Sequence, residues 1–232
     1  MRKVTVGFLF SLCLASFCQA AFVDQWDVPA WSGTTVGSSD GNPYVDADGN
    51  TWGAYQVTFG EYLNPVSYDS AHAMQWTQIG ASTLWYGPNG GGEVPQYNSD
   101  KALVGMNGGT YAAALRFTPD QAGEYSWTGM IPGTNYGGGS VYMVFAKLTS
   151  TAGTLLTDIH VYNGSPLDLD SVAALQNQTL EVGDSLVLVV TSPNSYSIAV
   201  ADLSSAGIGY VPEPTTLGLL GMGILFLRRK RK

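Results

Sequence analysis

Between residues 21 and 210 no apolar helical period lasts beyond two turns, while turn signals recur between short extended runs. Such a chain has to satisfy its backbone by pairing strands. The pattern is clearest from residue 112 onward. Residues 112–118 (AAALRFT) run into Pro119, Asp120, Gln121, Ala122 and Gly123, a turn with proline in a favoured early position. Residues 124–128 (EYSWT) alternate, which places Tyr125 and Trp127 on one face. Residues 141–148 (VYMVFAKL) are almost wholly apolar and read as a central strand. Residues 157–162 (TDIHVY) lead into Asn163-Gly164, the strongest short hairpin signal a sequence offers. Gly183-Asp184 turns the chain into residues 185–191 (SLVLVVT), and residues 195–202 (SYSIAVAD) close the series. Residues 171–178 read as one short helix. These signals predict an all-β fold, an antiparallel β-sandwich of jelly-roll type.

Composition agrees with that prediction. The chain is 12% charged, with 29 Gly, 13 Tyr and 6 Trp, where ordinary domains carry about 25% charged residues. Residues 21–210 suit one domain, since single β domains often reach about 200–250 residues. Glycine-rich residues 89–92 and 137–140 read as loops. Residues 204–209 read as the join between this body and the C-terminal segment.

The two ends have their own logic. Arg2 and Lys3 form a basic start, residues 4–17 an apolar run, and Cys18-Gln19-Ala20 the small-residue pattern before a cut after Ala20. Residues 1–20 therefore read as a secretory signal peptide. Phe17 before Cys18 and Leu12 before Cys13 stand where a lipobox wants a small residue. Both cysteines fall in the segment to be removed, so the remainder is expected to fold without disulfides.

At the other end, Pro212 and Pro214 bracket Glu213. They fix their own φ, push the preceding residues towards extended geometry, and let a helix start only after Pro214. The apolar run 215–227 has 13 residues, about 20 Å as a helix against a hydrocarbon core of about 30 Å. That suits a marginal, membrane-inserting anchor that an enzyme later removes. Arg228, Arg229, Lys230, Arg231 and Lys232 would hold this end in the cytoplasm.

With its Pro-Glu-Pro triplet, short apolar helix and basic end, the segment 211–232 resembles the sorting signal of PEP-CTERM proteins. The resemblance implies export, transient insertion in an inner membrane, and an exosortase-type processing enzyme recognising Pro212, Glu213 and Pro214. It also implies a Gram-negative envelope and a link to exopolysaccharide or biofilm matrix. The body has a resemblance of its own, carried by residues 116–119 (RFTP), 122–129 (AGEYSWTG), 158–164 (DIHVYNG) and 180–186 (LEVGDSL). Roughly residues 85–210 look like a jelly-roll module of secreted PEP-CTERM proteins that also occurs beside carbohydrate-active domains. These are strand-and-turn motifs; they carry over a fold and no site residue.

Charge excludes one class of partner. Residues 21–210 hold three cations (Lys101, Arg116, Lys147) against 17 Asp and Glu, a formal charge of −14. Nucleic acid needs clustered cations, so it is not an expected partner.

Catalytic patterns are absent from the sequence. His72 and His160 are the only histidines and form no zinc motif. His160 alternates with Ile159 and Val161 and reads as a strand residue. Ser140 follows three glycines, but Tyr142 stands where a nucleophile elbow needs glycine. Asp168 with Asp170, and Asp24 with Asp27, are carboxylate pairs that an acid-rich chain produces readily; a glycosidase needs two carboxylates about 5–10 Å apart across a cleft. No catalytic residue is assigned.

Two features favour binding. Asp46, Asp48 and Asn50, with Gly49 between the last two, form an oxygen-rich loop that could wrap Ca²⁺, although an Asp-Gly turn explains the same residues. Trp52, Trp76 and Trp85 could stack sugar rings if they line one exposed groove, although tryptophan in a sandwich commonly fills the core. Three segments follow: a signal peptide at 1–20, a β-sandwich at 21–210 and a sorting signal at 211–232. The body is expected to be a non-enzymatic matrix-associated protein. A carbohydrate-binding module is the alternative, and a polysaccharide-degrading enzyme the third.

Overall fold

Residues 185–191 are buried at every position, which requires a strand with neighbours on both edges and cover on both faces. The computed structural model describes residues 22–24, 39, 41–58, 60–79, 82–88, 92–94, 102–106, 111–136, 140–162, 164–192 and 198–211. The expected signal 1–20 and residues 212–232 lie outside this set. So do the side chains of Trp76 and Trp85.

The strands in chain order are β1 (Phe22–Asp24), β2 (Tyr44–Val45), β3 (Thr51–Thr58), β4 (Gln75–Ile79), β5 (Ser82–Tyr86), β6 (Gly92–Val94), β7 (Ala102–Met106) and β8 (Tyr111–Thr118). There follow β9 (Gly123–Tyr136), β10 (Ser140–Leu148), β11 (Gly153–Tyr162), β12 (Pro166–Asp168), β13 (Gln178–Leu180), β14 (Ser185–Thr191), β15 (Ile198–Asp202) and β16 (Ser205–Val211). They form two antiparallel sheets. One runs β11-β10-β14-β8-β3-β2; the other runs β1-β16-β9-β15-β7-β6-β5-β4, with β12 and β13 also paired to β9.

The sheets bury their facing sides against each other. Leu186, Leu188 and Val190 of β14 share a cluster with Ala113, Leu115 and Phe117 of β8 and Met143 and Phe145 of β10. Tyr125, Trp127, Ile131, Ala199, Ala201 and Ile208 come from the other sheet. The alternate residues of β14 point outward and are buried too: Val187 and Val189 pack with Ala112, Ala114, Val144, Tyr55 and Val57 under Tyr68 and Ala73. The cover is the segment 60–74. Its 3-10 turn Pro65–Tyr68 is capped by Asn64, Tyr68 packs edge-on to Tyr55 with centroids 5.4 Å apart, and the Tyr68 hydroxyl donates to the Tyr62 carbonyl at 2.8 Å. Two-sided cover is why β14 reads as a continuous apolar run rather than an alternating one.

Three local expectations change. Residues 171–178 form the 3-10 turn Ala173–Leu175 and the start of β13 in place of a helix. Asn163 lies outside the described residues, and the strands on either side of the expected Asn163-Gly164 hairpin, β11 and β12, belong to different sheets. Ser165 donates to the Tyr162 carbonyl at 2.9 Å, and β12 then pairs with β9 of the other sheet. The turns after β8 and before β14 cross between sheets in the same way. Residues 204–209 are not a join. Residues 205–211 form β16, an internal strand between β1 and β9, with Ala206 and Ile208 in the core. Small residues made this stretch look like a linker, but its period of two delivers Ala206 and Ile208 to one face.

A chain ending at Ser204 would lose Ile208 and strand β9's partner along 124–130. It should lose its cooperative thermal transition in near-ultraviolet circular dichroism, whereas a chain ending at Val211 keeps it. Equal transitions for the two would disprove the internal placement of β16.

Candidate functional site

Pairing of Thr51 with Thr118 brings the turn at 46–50 against the turn at 119–122. Asp46 organises the first turn: its Oδ1 accepts from the amides of Asp48 and Asn50, both at 2.9 Å. Asn50 joins the two turns, its Oδ1 accepting from the Asp120 amide at 3.2 Å. Gly49 has φ +89°, and a Cβ there would lie 3.1 Å from the Asp120 carboxyl carbon, so glycine permits this close approach. Register between β9 and β16 then sets Tyr125 opposite Tyr210.

The result is a cleft of about 260 Å³ lined by Asp48, Asn50, Gln121, Tyr125 and Tyr210. Its aromatic wall is anchored in the core. Trp52 packs on Phe117 (centroids 4.8 Å), Phe117 on Tyr125 (5.7 Å) and Tyr125 on Tyr210 (5.1 Å). Tyr210 is the partly exposed end of this series. Gly123 makes room for it, since a Cβ at that position would lie 2.5 Å from the Tyr210 ring. The Tyr125 hydroxyl donates to the Gln121 carbonyl at 2.8 Å. Burial, helped by the charges of Tyr210 and Asp120, pushes its phenol up to about 12.

A second cluster lies on the outer face of the β10–β11 hairpin, where Tyr142 stands opposite His160 and Ser140 opposite Tyr162. The Tyr142 and His160 rings are 4.4 Å apart, and the Tyr142 hydroxyl donates to Asp158 Oδ2 at 2.6 Å. That hydrogen bond, with burial next, raises the Tyr142 phenol to about 12. Ser140 Oγ and His160 Nδ1 are 3.3 Å apart. Tyr162 is 71% exposed. With Asp158 bonded to Tyr142, these contacts do not form a serine–histidine–aspartate relay.

The sequence-derived candidates divide. Trp52 is 1% exposed, a correction to its expected stacking role: the inner face of β3 carries it into the core beside Phe117. Trp76 and Trp85 oppose each other in the β4–β5 register. Asp46, Asp48 and Asn50 do come together, but Asp46 serves the turn amides through Oδ1. No group of three or more His, Cys, Asp or Glu arranged to hold a metal occurs among the described residues. Asp168 accepts from the Asp170 amide at 3.1 Å, and Asp170 from the Gly129 amide at 3.1 Å, so both carboxylates fasten backbone. His72 pairs with Asp69 at 2.7 Å on the surface, and that hydrogen bond lowers the Asp69 pKa. Asp27 and the Asp24 side chain lie outside the described residues. Sequence reasoning missed Tyr210 and Gln121, although Ala206, Ile208 and Tyr210 share one strand parity.

The tyrosines allow a test of this geometry. Tyr55, Tyr68, Tyr125 and Tyr142 all have raised pKa values in the fold, Tyr142 chiefly through Asp158 and the others chiefly through burial. A free tyrosine ionises near about 10, so below that pH both folded and unfolded chains keep these phenols protonated and their contribution to stability is full. Between about 10 and 12 the unfolded chain ionises first, and stability falls. Phenolate absorbance should therefore rise in two stages, the second coinciding with unfolding. A single stage near the free value would contradict the buried placement.

The comparisons with known proteins bear mainly on the C-terminus. Residues 211–232 match the PEP-CTERM protein-sorting motif. No curated protein matches the chain. Among solved structures, TmCBM61 in complex with beta-1,4-galactotriose aligns at 10% identity over 47% of this chain and 81% of that one. The TM-score of that alignment is 0.29.

Proposed function

We propose that this chain is an exported, non-enzymatic β-sandwich protein whose end cleft binds glycan in the cell envelope or extracellular matrix. The sorting motif at 211–232 implies export and transient membrane anchoring before release. An exosortase-type enzyme would process it at Pro212, Glu213 and Pro214, leaving the basic residues 228–232 behind.

The observation that carries the binding reading is one wall and one rim. Tyr210, backed by buried Tyr125, offers an aromatic face, while Asp48, Asn50 and Gln121 supply hydrogen-bonding groups around it. Apolar sugar faces pack on aromatic rings, and hydroxyls pair with amides and carboxylates. A volume of about 260 Å³ lies below the roughly 300–1,000 Å³ of drug-sized pockets, which suits a single ring or a chain end.

Purified protein should bind selected bacterial exopolysaccharides on a glycan array. Tyr210→Ala should weaken that binding by about tenfold or more, or about 1.4 kcal/mol. Trp52→Ala should instead lower stability by about 3–5 kcal/mol, through the cavity it leaves. Silence across the array, or binding indifferent to Tyr210→Ala, would remove the cleft from consideration. For sorting, the intact mass of cell-derived protein should fit a chain beginning at Ala21 and ending near Pro214; a species retaining residues 228–232 would mean a simple anchor.

A further inference from the structure

The chain leaves the sandwich beside the cleft. Val211, the last residue of β16, pairs with Glu124, and Tyr210 immediately before it lines the cleft. β16 is held on one edge by β9, up to Val211 itself, and on the other by β1. The apolar run starts at Thr215, four residues past Val211. At no more than about 3.6 Å per residue, those four reach about 14 Å at most.

The same end carries three turns. Thr51 and Thr118 pair next to the turns at 46–50 and 119–122, and Leu180 pairs with Gly123 before the turn at 181–184. Ser185, just after that turn, hydrogen-bonds Thr118 at 2.9 Å. Asp46, Asp48, Asp120, Glu181 and Asp184 lie on these turns, and Lys147 engages Asp184 at 3.3 Å. The exposed hairpin cluster of His160 and Tyr162 is at the far end of β10 from Leu148, which pairs with Ser185.

We propose that this end of the sandwich is the surface that faces the lipid bilayer while the tail is attached, so that the cleft is closed to polymers until the tail is cut. The proposal rests on residues 215–227 inserting as read above. A gap of at most about 14 Å admits small solutes but crowds a bulky chain. The acidic turns oppose adsorption to anionic headgroups, since like charges repel within a Debye length of about 8–10 Å. The bilayer surface is thus a screen over the cleft rather than a ligand for it. Cutting beyond Val211 removes the screen and leaves β16 intact.

Accessibility tests this without any glycan. The chain 21–232, which has lost the signal segment and holds no cysteine, would receive a single cysteine, either Gln121→Cys at the cleft or Ser165→Cys at the opposite end. Each is incorporated into phosphatidylcholine vesicles, recovered by flotation, and treated with a small maleimide or one bearing a long polyethylene glycol. The expected result is that the small reagent labels both positions and the bulky one loses only Gln121→Cys. Ala122→Cys provides a second cleft-end position should Gln121→Cys fail to fold. Bulky labelling at both ends would overturn the proposal while leaving the glycan reading intact. A chain that does not float would overturn the anchoring reading and this proposal together.

Discussion

Seven consecutive pairs between β9 and β16, from Ser205 with Met130 to Val211 with Glu124, are the contact on which the molecule's organisation turns. They place Ile208 opposite Trp127 in the core and Tyr210 opposite Tyr125 at the rim. β9 needs the pairing because its 14 residues also support β12, β13 and β15. Without β16, the backbone groups of residues 124–130 would face away from any strand on that edge, and unpaired buried amides are costly. The strand that completes the sheet is thus the strand that furnishes the cleft's aromatic wall.

The other sheet meets a different constraint. β14, β8 and β10 expose apolar residues on both faces, so a second cover is required beyond the facing sheet. Residues 60–74 provide it, tied to β3 by a single bridge of Ala73 with Tyr55, with backbone bonds from Gln56 to His72 and from Met74 to Ala54, and by side chains. Asn42 is the fastener: its Nδ2 donates to the carbonyls of Ala54 and Met74 at 2.7 and 3.1 Å, and its Oδ1 accepts from the Ala54 amide at 3.0 Å. A buried amide with both ends satisfied specifies position where apolar contact alone would permit sliding. Within the sheet itself, Arg116 of β8, one of the few cations of the body, donates through Nε to the Ser185 hydroxyl of β14 at 2.8 Å.

Strand identity was legible wherever side chains alternate or form dense apolar runs. Residues 112–118, 141–148 and 185–191 fall within β8, β10 and β14, and Tyr125 and Trp127 share the core face. Connectivity was less legible, because a tight turn has the same residues whether it joins neighbours or crosses between sheets. Asn163-Gly164 is the plain case. The site was read half correctly: the turn at 46–50 does line a cleft, yet it folds around Asp46 through its own amides. Trp52 was misplaced because tryptophan's large apolar area serves a core and a platform equally, and only the inward parity of β3 decides between them. Tyr210 was hidden by the small residues before it, which a linker and a tightly packed strand use alike.

Sorting and folding therefore make demands on adjacent residues. Pro212 follows directly on a strand residue, and proline cannot donate a ladder hydrogen bond. It is a natural terminator for β16, whose last residue, Val211, is also the first of the sorting motif. A cut one or two residues earlier would remove part of the pairing with Glu124 and Tyr125 and unsettle the Tyr210 wall. A cut at or beyond Pro212 leaves every register pair of β16 in place. The rigid triplet thus separates two functions with no intervening spacer: before it lie the last residues of the fold, and after it the segment read as expendable. Because Tyr210 stands two residues from that boundary, the cleft survives only if processing respects it.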